Sequence, residues 1–235
     1  MSTNGIRTKR IWTDLMRVNP IATNNADIWK NLIHVSYTNG DTTSVNACMF
    51  GPSDTPYENG YYFFNIKFPD DYPFNPPKVK YLTTNGVRFN PNLYQNGKVC
   101  LSMINTWAGP GWLPSYTIDK VVIAIQALVM NEHPLVNEPG HENDANDILE
   151  AYNRAVLHQN YALGIIRMYQ SLNSEPLGIF KDIIINKINE NKEFYVNQLE
   201  KYIKEYKDIP EFRTQTYGMK IKNNYKGMLK FIKEI

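Results

Sequence analysis

Near the start of the chain, apolar residues recur at helical spacing: Ile11, Trp12, Leu15 and Met16 sit among Arg7, Lys9, Arg10 and Arg17. This pattern predicts an amphipathic helix that ends near Asn19-Pro20, with its apolar stripe against the core. The period then changes. Ile28 to Tyr37 and Thr42 to Phe50 flank Thr38-Asn39-Gly40-Asp41, and an Asn-Gly pair between two such runs predicts a β-hairpin. Tyr61 to Phe68 reads as a third strand, with aromatics suited to a pleated, half-buried surface. Lys78 to Leu82 reads as a short fourth. The segment Phe68 to Pro77 holds four prolines in ten residues, too stiff and too poor in N–H donors for a sheet ladder. Phe74 within it is either an outward docking knob or a core residue.

Farther on, Ile118, Val121, Val122, Ile125, Leu128 and Val129 predict a buried helix, capped by Ser115 or Thr117 and closed at His133-Pro134. Helical spacing returns from about Asp144 to Leu172, from Pro176 to about Tyr206, and from about Met219 to Ile232. A helix, an antiparallel meander of four strands and a run of helices together predict an α+β fold. The expected division is a core over residues 1–172 and a helical extension over 173–235.

Composition narrows the chemistry. A chain of 235 residues that is 43% hydrophobic supports a substantial core, and a net charge of +2 lacks the electrostatic footprint of a nucleic-acid binder. The tail from Arg213 to Ile235 carries six basic residues against one Glu, expected to be a solvated basic face. The longest apolar run, Val121 to Ile125, is too short to span a membrane. The opening Met-Ser-Thr-Asn-Gly lacks the apolar stretch of a secretory signal. A reducing compartment is therefore expected, the cytoplasm first, with the nucleus also open. Two cysteines, Cys48 and Cys100, cannot build a zinc site, and the four histidines show no ligand spacing. With no phosphate-binding Gly-rich loop either, no metal and no cofactor are expected.

The candidate chemistry lies between Arg88 and Trp112. Cys100 follows a turn-rich loop that carries two amides, Asn90 and Asn92, around Pro91. An ionised thiol is a strong nucleophile near neutral pH, and an amide N–H₂ beside it can stabilise an oxyanion. Together they point to acyl transfer through a thioester, which requires a sulfur that a macromolecular tail can approach. Asn92 can equally serve only to hold its own loop. Cys48, inside the second strand, reads as a small core hydrophobe. A cysteine hydrolase that uses His133, His141 or His158 as base is the competing chemistry.

Several blocks carry a resemblance to a known family. In order they are Thr8-Lys-Arg-Ile11, Met49-Phe-Gly-Pro52 with Pro56-Tyr57 and Gly60, Tyr72-Pro-Phe-Asn-Pro-Pro-Lys-Val79, Asn90-Pro-Asn92 with Gly97-Lys-Val-Cys-Leu101, and Trp112-Leu-Pro114. Over about its first 170 residues the chain resembles the ubiquitin-conjugating enzymes, in particular the larger branch with a C-terminal helical extension. The resemblance implies the ubiquitin-conjugating fold: an N-terminal helix, a four-stranded meander, a buried central helix and C-terminal helices. It implies that Cys100 takes ubiquitin, or a ubiquitin-like protein, as a thioester from an activating enzyme that itself uses ATP. The acyl group would then pass to a substrate lysine or a ligase cysteine. Asn92 matches the oxyanion-binding position. Asn90 stands where most members have a structural His, and Ser102 where many have an acidic residue. His133 falls near a gate position, although a helix-capping role fits it better. Phe74, Pro114 and Ser115 would face a RING- or HECT-type ligase, and Lys9 and Arg10 the activating enzyme. An inactive ubiquitin-binding variant of the same fold is a further alternative, set against the presence of Cys100.

Overall fold

A computed structural model describes residues 3–18, 33–37, 43–83, 87–88 and 90–235. Helix α1 (Thr3–Arg17) leads into a four-stranded antiparallel meander, β1 (Ile33–Tyr37), β2 (Ser44–Phe50), β3 (Tyr61–Lys67) and β4 (Lys78–Tyr81), paired in that order. Helix α2 runs over Ile118–Ala124 and continues through a π-type segment, Ile125–Val129. Helix α3 begins as Asn146–Gln159 and continues as a π-type segment, Asn160–Arg167, ending in Met168–Gln170. Helix α4 (Lys181–Glu205), a two-stranded ribbon of β5 (Glu211–Arg213) and β6 (Lys220–Lys222), and helix α5 (Tyr225–Glu234) complete the chain. The expected 38–41 hairpin turn and the start of the first predicted strand lie outside the described residues. No helix among the described residues is long and apolar enough to cross a membrane.

Strand periodicity divides the core in two. Val45, Ala47 and Met49 of β2, with Tyr62, Phe64 and Ile66 of β3, face α1 and α2 in one cluster. The alternate residues, Cys48, Phe50, Tyr61 and Phe63, face the opposite way and are buried by residues of α3, α4 and α5. The expectation of a half-buried β3 is therefore corrected. Its aromatics are buried on both faces, because the C-terminal helices cover the face a lone meander would leave to water. Tyr195 of α4 seals this layer, its hydroxyl 3.1 Å from that of Tyr61 and donating to Asn59 O at 2.8 Å.

Three further expectations change. Among the described apolar side chains of α1 and Val18 just after it, Ile11, Leu15 and Val18 reach the core, whereas Trp12 and Met16 are 44% and 49% exposed. One helix face is too narrow to bury both pairs. Leu128 of α2 is likewise exposed, on the outer side of its helix, and Thr117 precedes α2 in extended conformation without a side-chain cap. The predicted last helix starts only at Tyr225, since Lys220–Lys222 alternates exposed, buried, exposed and pairs as a strand. Two side-chain amides enter the core where the π-type segments begin. Gln126 donates to Phe50 O at 2.9 Å, and Asn160 accepts from Tyr62 Oη at 2.5 Å while donating to Glu58 O at 2.9 Å.

The buried His158 of α3 packs edge-on against the Tyr225 ring of α5, with centroids 5.1 Å apart. Burial holds its pKa down, from 6.5 to about 4, and the Lys222 backbone offsets this only in part. Below pH 6.5 the unfolded chain binds a proton here that the native chain refuses. Stability contributed at neutral pH is thus lost as pH falls from about 6.5 towards 4. Urea unfolding is expected to show about 2 kcal/mol less stability at pH 5 than at pH 7 from this group. His158→Phe should remove most of that difference, and an unchanged pH dependence in the variant would show that other groups cause it.

Candidate active site

The site is built on a short hairpin after β4. Leu93 bridges to Val99, Tyr94 N–H donates to Lys98 O at 3.0 Å, and Gly97 N–H donates to Tyr94 O at 2.9 Å. Gly97 holds φ at +88°, and a Cβ there would meet Tyr81 O at 2.7 Å, so the turn needs glycine. Closing this hairpin sets Asn92 beside Cys100 and accounts for their spacing in sequence. Cys100 N–H donates to Asn92 O at 2.8 Å, and Asn92 Nδ2 donates back to Cys100 O at 2.9 Å. Asn90, fully buried, fixes the hairpin to the fold. Its amide nitrogen donates to Tyr57 Oη at 2.6 Å and to Val129 O at 2.9 Å, and its oxygen accepts Asn92 N–H at 2.7 Å.

The Cys100 side chain is fully covered in this conformation, where the chemistry led us to expect an open sulfur. The cover is thin. Asn92, Tyr94 and Ser102 around it are each only half-buried, and the Tyr94 hydroxyl lies against the thiol. Burial, and then Cys100 itself, push the Tyr94 phenol above its ordinary pKa, with the Arg88 guanidinium pulling the other way. Cys48 is covered just as completely, but deep between the sheet and the C-terminal helices. Burial pushes its thiol far above the usual range, which makes it an inert hydrophobe.

The model of the family described as ubiquitin-conjugating enzyme matches residues 12–161. The chain belongs to that family. Ubiquitin-conjugating enzyme E2 Z of Danio rerio is 45% identical over 139 residues, which cover 58% of this chain and 42% of the relative. The Homo sapiens protein of the same name is 46% identical over 133 residues, 55% of this chain and 37% of its own length. A probable ubiquitin-conjugating enzyme protein 17 of Caenorhabditis elegans is 36% identical over 209 residues, covering 84% of this chain and 28% of the relative. The chain thus spans about two fifths of the length of the E2 Z relatives it matches.

Two further sequence blocks lie on loops that pack against each other. Trp112 Nε1 donates to Pro73 O at 2.7 Å and pins the proline-rich loop to the loop that precedes α2. Phe74 projects from the first, 66% exposed, and Leu113, Pro114 and Ser115 are exposed on the second, so the structure decides for the outward Phe74. Arg10 donates to Pro114 O at 2.8 Å, to Tyr116 O and to Asp14 Oδ1 at 2.9 Å. Its guanidinium therefore holds a loop in place, while Lys9 is exposed. Ser102 opens the 3-10 turn Ser102–Ile104 under the loop at Gly109, where a Cβ would approach Ser102 Cβ to 3.2 Å.

The structure does not bring a histidine to the sulfur among those whose side chains are described. His133 precedes the turn Pro134–Asn137 without capping it through its side chain, and its ring lies 3.3 Å from Asn153 Nδ2 and 3.7 Å from Glu132. His141 sits 2.6 Å from Asp144 and 3.4 Å from Thr216, and His158 is sealed against Tyr225. A hydrolase pairing of Cys100 with one of these rings has no geometric support. What the residues alone did not reveal is a cluster beside Tyr94, formed by Arg88, Glu138 and Tyr217. Arg88 lies within the Arg88–Trp112 stretch, but nothing in the pattern around Tyr217 marks it.

Asn90→Ala removes three buried hydrogen bonds at once. We expect about 3 kcal/mol of lost stability in urea unfolding, because the Tyr57 hydroxyl, Val129 carbonyl and Asn92 N–H lose their partner. A loss below about 1 kcal/mol would mean that water replaces the amide and that the hairpin is anchored elsewhere.

Proposed function

We propose that the chain accepts ubiquitin, or a ubiquitin-like protein, as a thioester on Cys100 and passes it to a substrate lysine or to a ligase cysteine. The carrying observation is the nucleophile's placement. In a chain of this family the sulfur sits at the end of an Asn92-locked hairpin, one side chain below the surface, with none of the described imidazoles beside it. In charging, the Cys100 thiolate attacks the carbonyl of the activating enzyme's thioester. A new S–C bond forms and the activating enzyme's thiolate leaves. In transfer, a neutral lysine amine attacks that carbonyl, the S–C bond breaks, the amine proton passes to solvent and the Cys100 thiolate departs. A thioester is already activated, so catalysis reduces to presenting a deprotonated amine and stabilising the tetrahedral oxyanion.

We assign the oxyanion contact to Asn92. Its amide is engaged with Cys100 O in the uncharged state and would turn towards the reacting carbonyl during transfer. The half-buried Ser102 is the polar group we place in the lysine's surroundings, ahead of His133, whose contacts lead to α3. The exposed surface of Phe74, Pro114 and Ser115 serves as the ligase-facing site. It is held rigid from behind by Trp112 and Arg10, which suits a docking surface that should not reorganise on binding. Lys9, free of the contacts that occupy Arg10, is the assigned contact for the activating enzyme.

Incubation with ubiquitin, an activating enzyme and ATP should yield an adduct that thiol reductants release, and Cys100→Ser should yield one that they do not. Absence of both would refute the assignment of the nucleophile. Asn92→Ala should charge at close to the normal rate yet discharge to free lysine about 10²-fold more slowly, the usual cost of losing an oxyanion donor. Equal discharge rates would reduce Asn92 to a loop-holding role. Phe74→Ala should leave charging and unassisted discharge intact and remove ligase stimulation.

A further inference from the structure

The Arg88 guanidinium lies between two aromatic rings. Its central carbon is 3.9 Å from the Tyr94 ring centroid and 4.2 Å from that of Tyr217. Arg88 also donates to Pro91 O at 2.9 Å and pairs with Glu138 at 3.7 Å, and Glu138 accepts the Tyr217 hydroxyl. Tyr217 belongs to the segment between β5 and β6, far from the hairpin in sequence. It holds φ 61° and ψ −2°, a left-handed conformation that a tyrosine rarely adopts without support. Its neighbour Thr216 is tied to His141, and its own ring packs edge-on against Tyr152 at 6.3 Å. The segment is thus anchored from both sides in the pose that stacks Tyr217 on Arg88.

We propose that Tyr217 is a positioning residue of the active site: through the Arg88 sandwich it holds Tyr94 over Cys100, so that the C-terminal extension sets access to the sulfur. Cys100 has no exposed surface, and the Tyr94 hydroxyl lies against it. An acyl carbon bonded to that sulfur would occupy space now filled by its cover, so Tyr94 has to swing aside for any thioester to form. Tyr94 sits in a hairpin turn and can do this without disturbing the core. Its ring is stacked on Arg88, and Arg88 is retained by Tyr217 and Glu138. The extension therefore acts on the open–closed equilibrium of one side chain, and a partner that draws the segment around Tyr217 away would open the site.

This proposal rests on Cys100 being the reactive thiol, and alkylation by iodoacetamide tests it without ubiquitin. Rates at Cys100 would be followed by peptide mapping in native wild-type, Tyr217→Ala, Tyr217→Phe and Tyr94→Ala proteins, with Cys48 as the internal gauge of folding. We expect Tyr217→Ala to raise the Cys100 rate about tenfold, the population shift that follows loss of one stacked face. Tyr217→Phe, which keeps the ring, should stay near wild type, and Tyr94→Ala should react at least as fast as Tyr217→Ala. Equal rates for wild type and Tyr94→Ala would overturn the proposal, as would a Tyr217→Phe rate equal to that of Tyr217→Ala. If Tyr217→Ala also labels Cys48, and so has lost its fold, the Tyr94→Ala comparison decides alone. A charging assay run in parallel separates the two claims: faster alkylation without charging in any variant leaves the clamp standing and removes the proposed function.

Discussion

The placement of the hairpin that carries Cys100 depends on one buried amide. Asn90 joins the turn after β2 through Tyr57, the end of α2 through Val129, and the hairpin itself through Asn92 N–H. An asparagine offers two N–H groups and a carbonyl in one plane, and here both N–H groups and the oxygen are engaged inside the protein. An unpaired buried donor or acceptor is costly, so the three elements can satisfy these groups together only in this arrangement. That arrangement in turn brings Asn92 and Cys100 into register. The geometry of the site thus follows from a buried structural amide.

The second constraint comes from the sheet. A four-stranded meander packed by α1 and α2 on one side would leave Cys48, Phe50, Tyr61 and Phe63 facing water. Burial of such side chains contributes roughly 1.5–3 kcal/mol each for those of the size of leucine or phenylalanine, and α3, α4 and α5 supply the cover. The same C-terminal path brings β5 and β6 back towards the first core cluster, which Met219 and Ile221 join. The extension is therefore part of the layered packing, and its position beside Arg88 follows from where that packing returns the chain. In the relative from Caenorhabditis elegans the matched stretch covers more of the chain than residues 1–172 contain, so similarity continues into this region.

Much of this was legible in the residues. The meander, the central helix and the turn-rich loop ahead of Cys100 announce themselves through period, proline placement and turn chemistry, because each is specified locally; that this loop closes as a hairpin is a finding of the structure. The role of Asn90 as a structural hydrogen-bonder came from its place in the family motif. What was not legible depends on tertiary partners. Trp12 and Leu128 look as apolar as Leu15 and Val121, and only the width of the packed face decides which are buried. The β5–β6 ribbon escaped because three-residue strands carry too little alternation to register. The cover over Cys100 escaped because Tyr94 and Tyr217 are far apart in sequence and meet only through Arg88.

Two equally covered thiols, Cys48 and Cys100, are expected to differ in how they become accessible. The most direct measurement is the urea dependence of cysteine alkylation at each site below the unfolding transition. Cys100, one side chain deep, should react through a local opening whose rate barely changes with low urea, whereas Cys48 should react only through global unfolding, with a steep dependence. If both cysteines follow the same steep dependence, the sulfur of Cys100 is a core group and the account of the site is wrong.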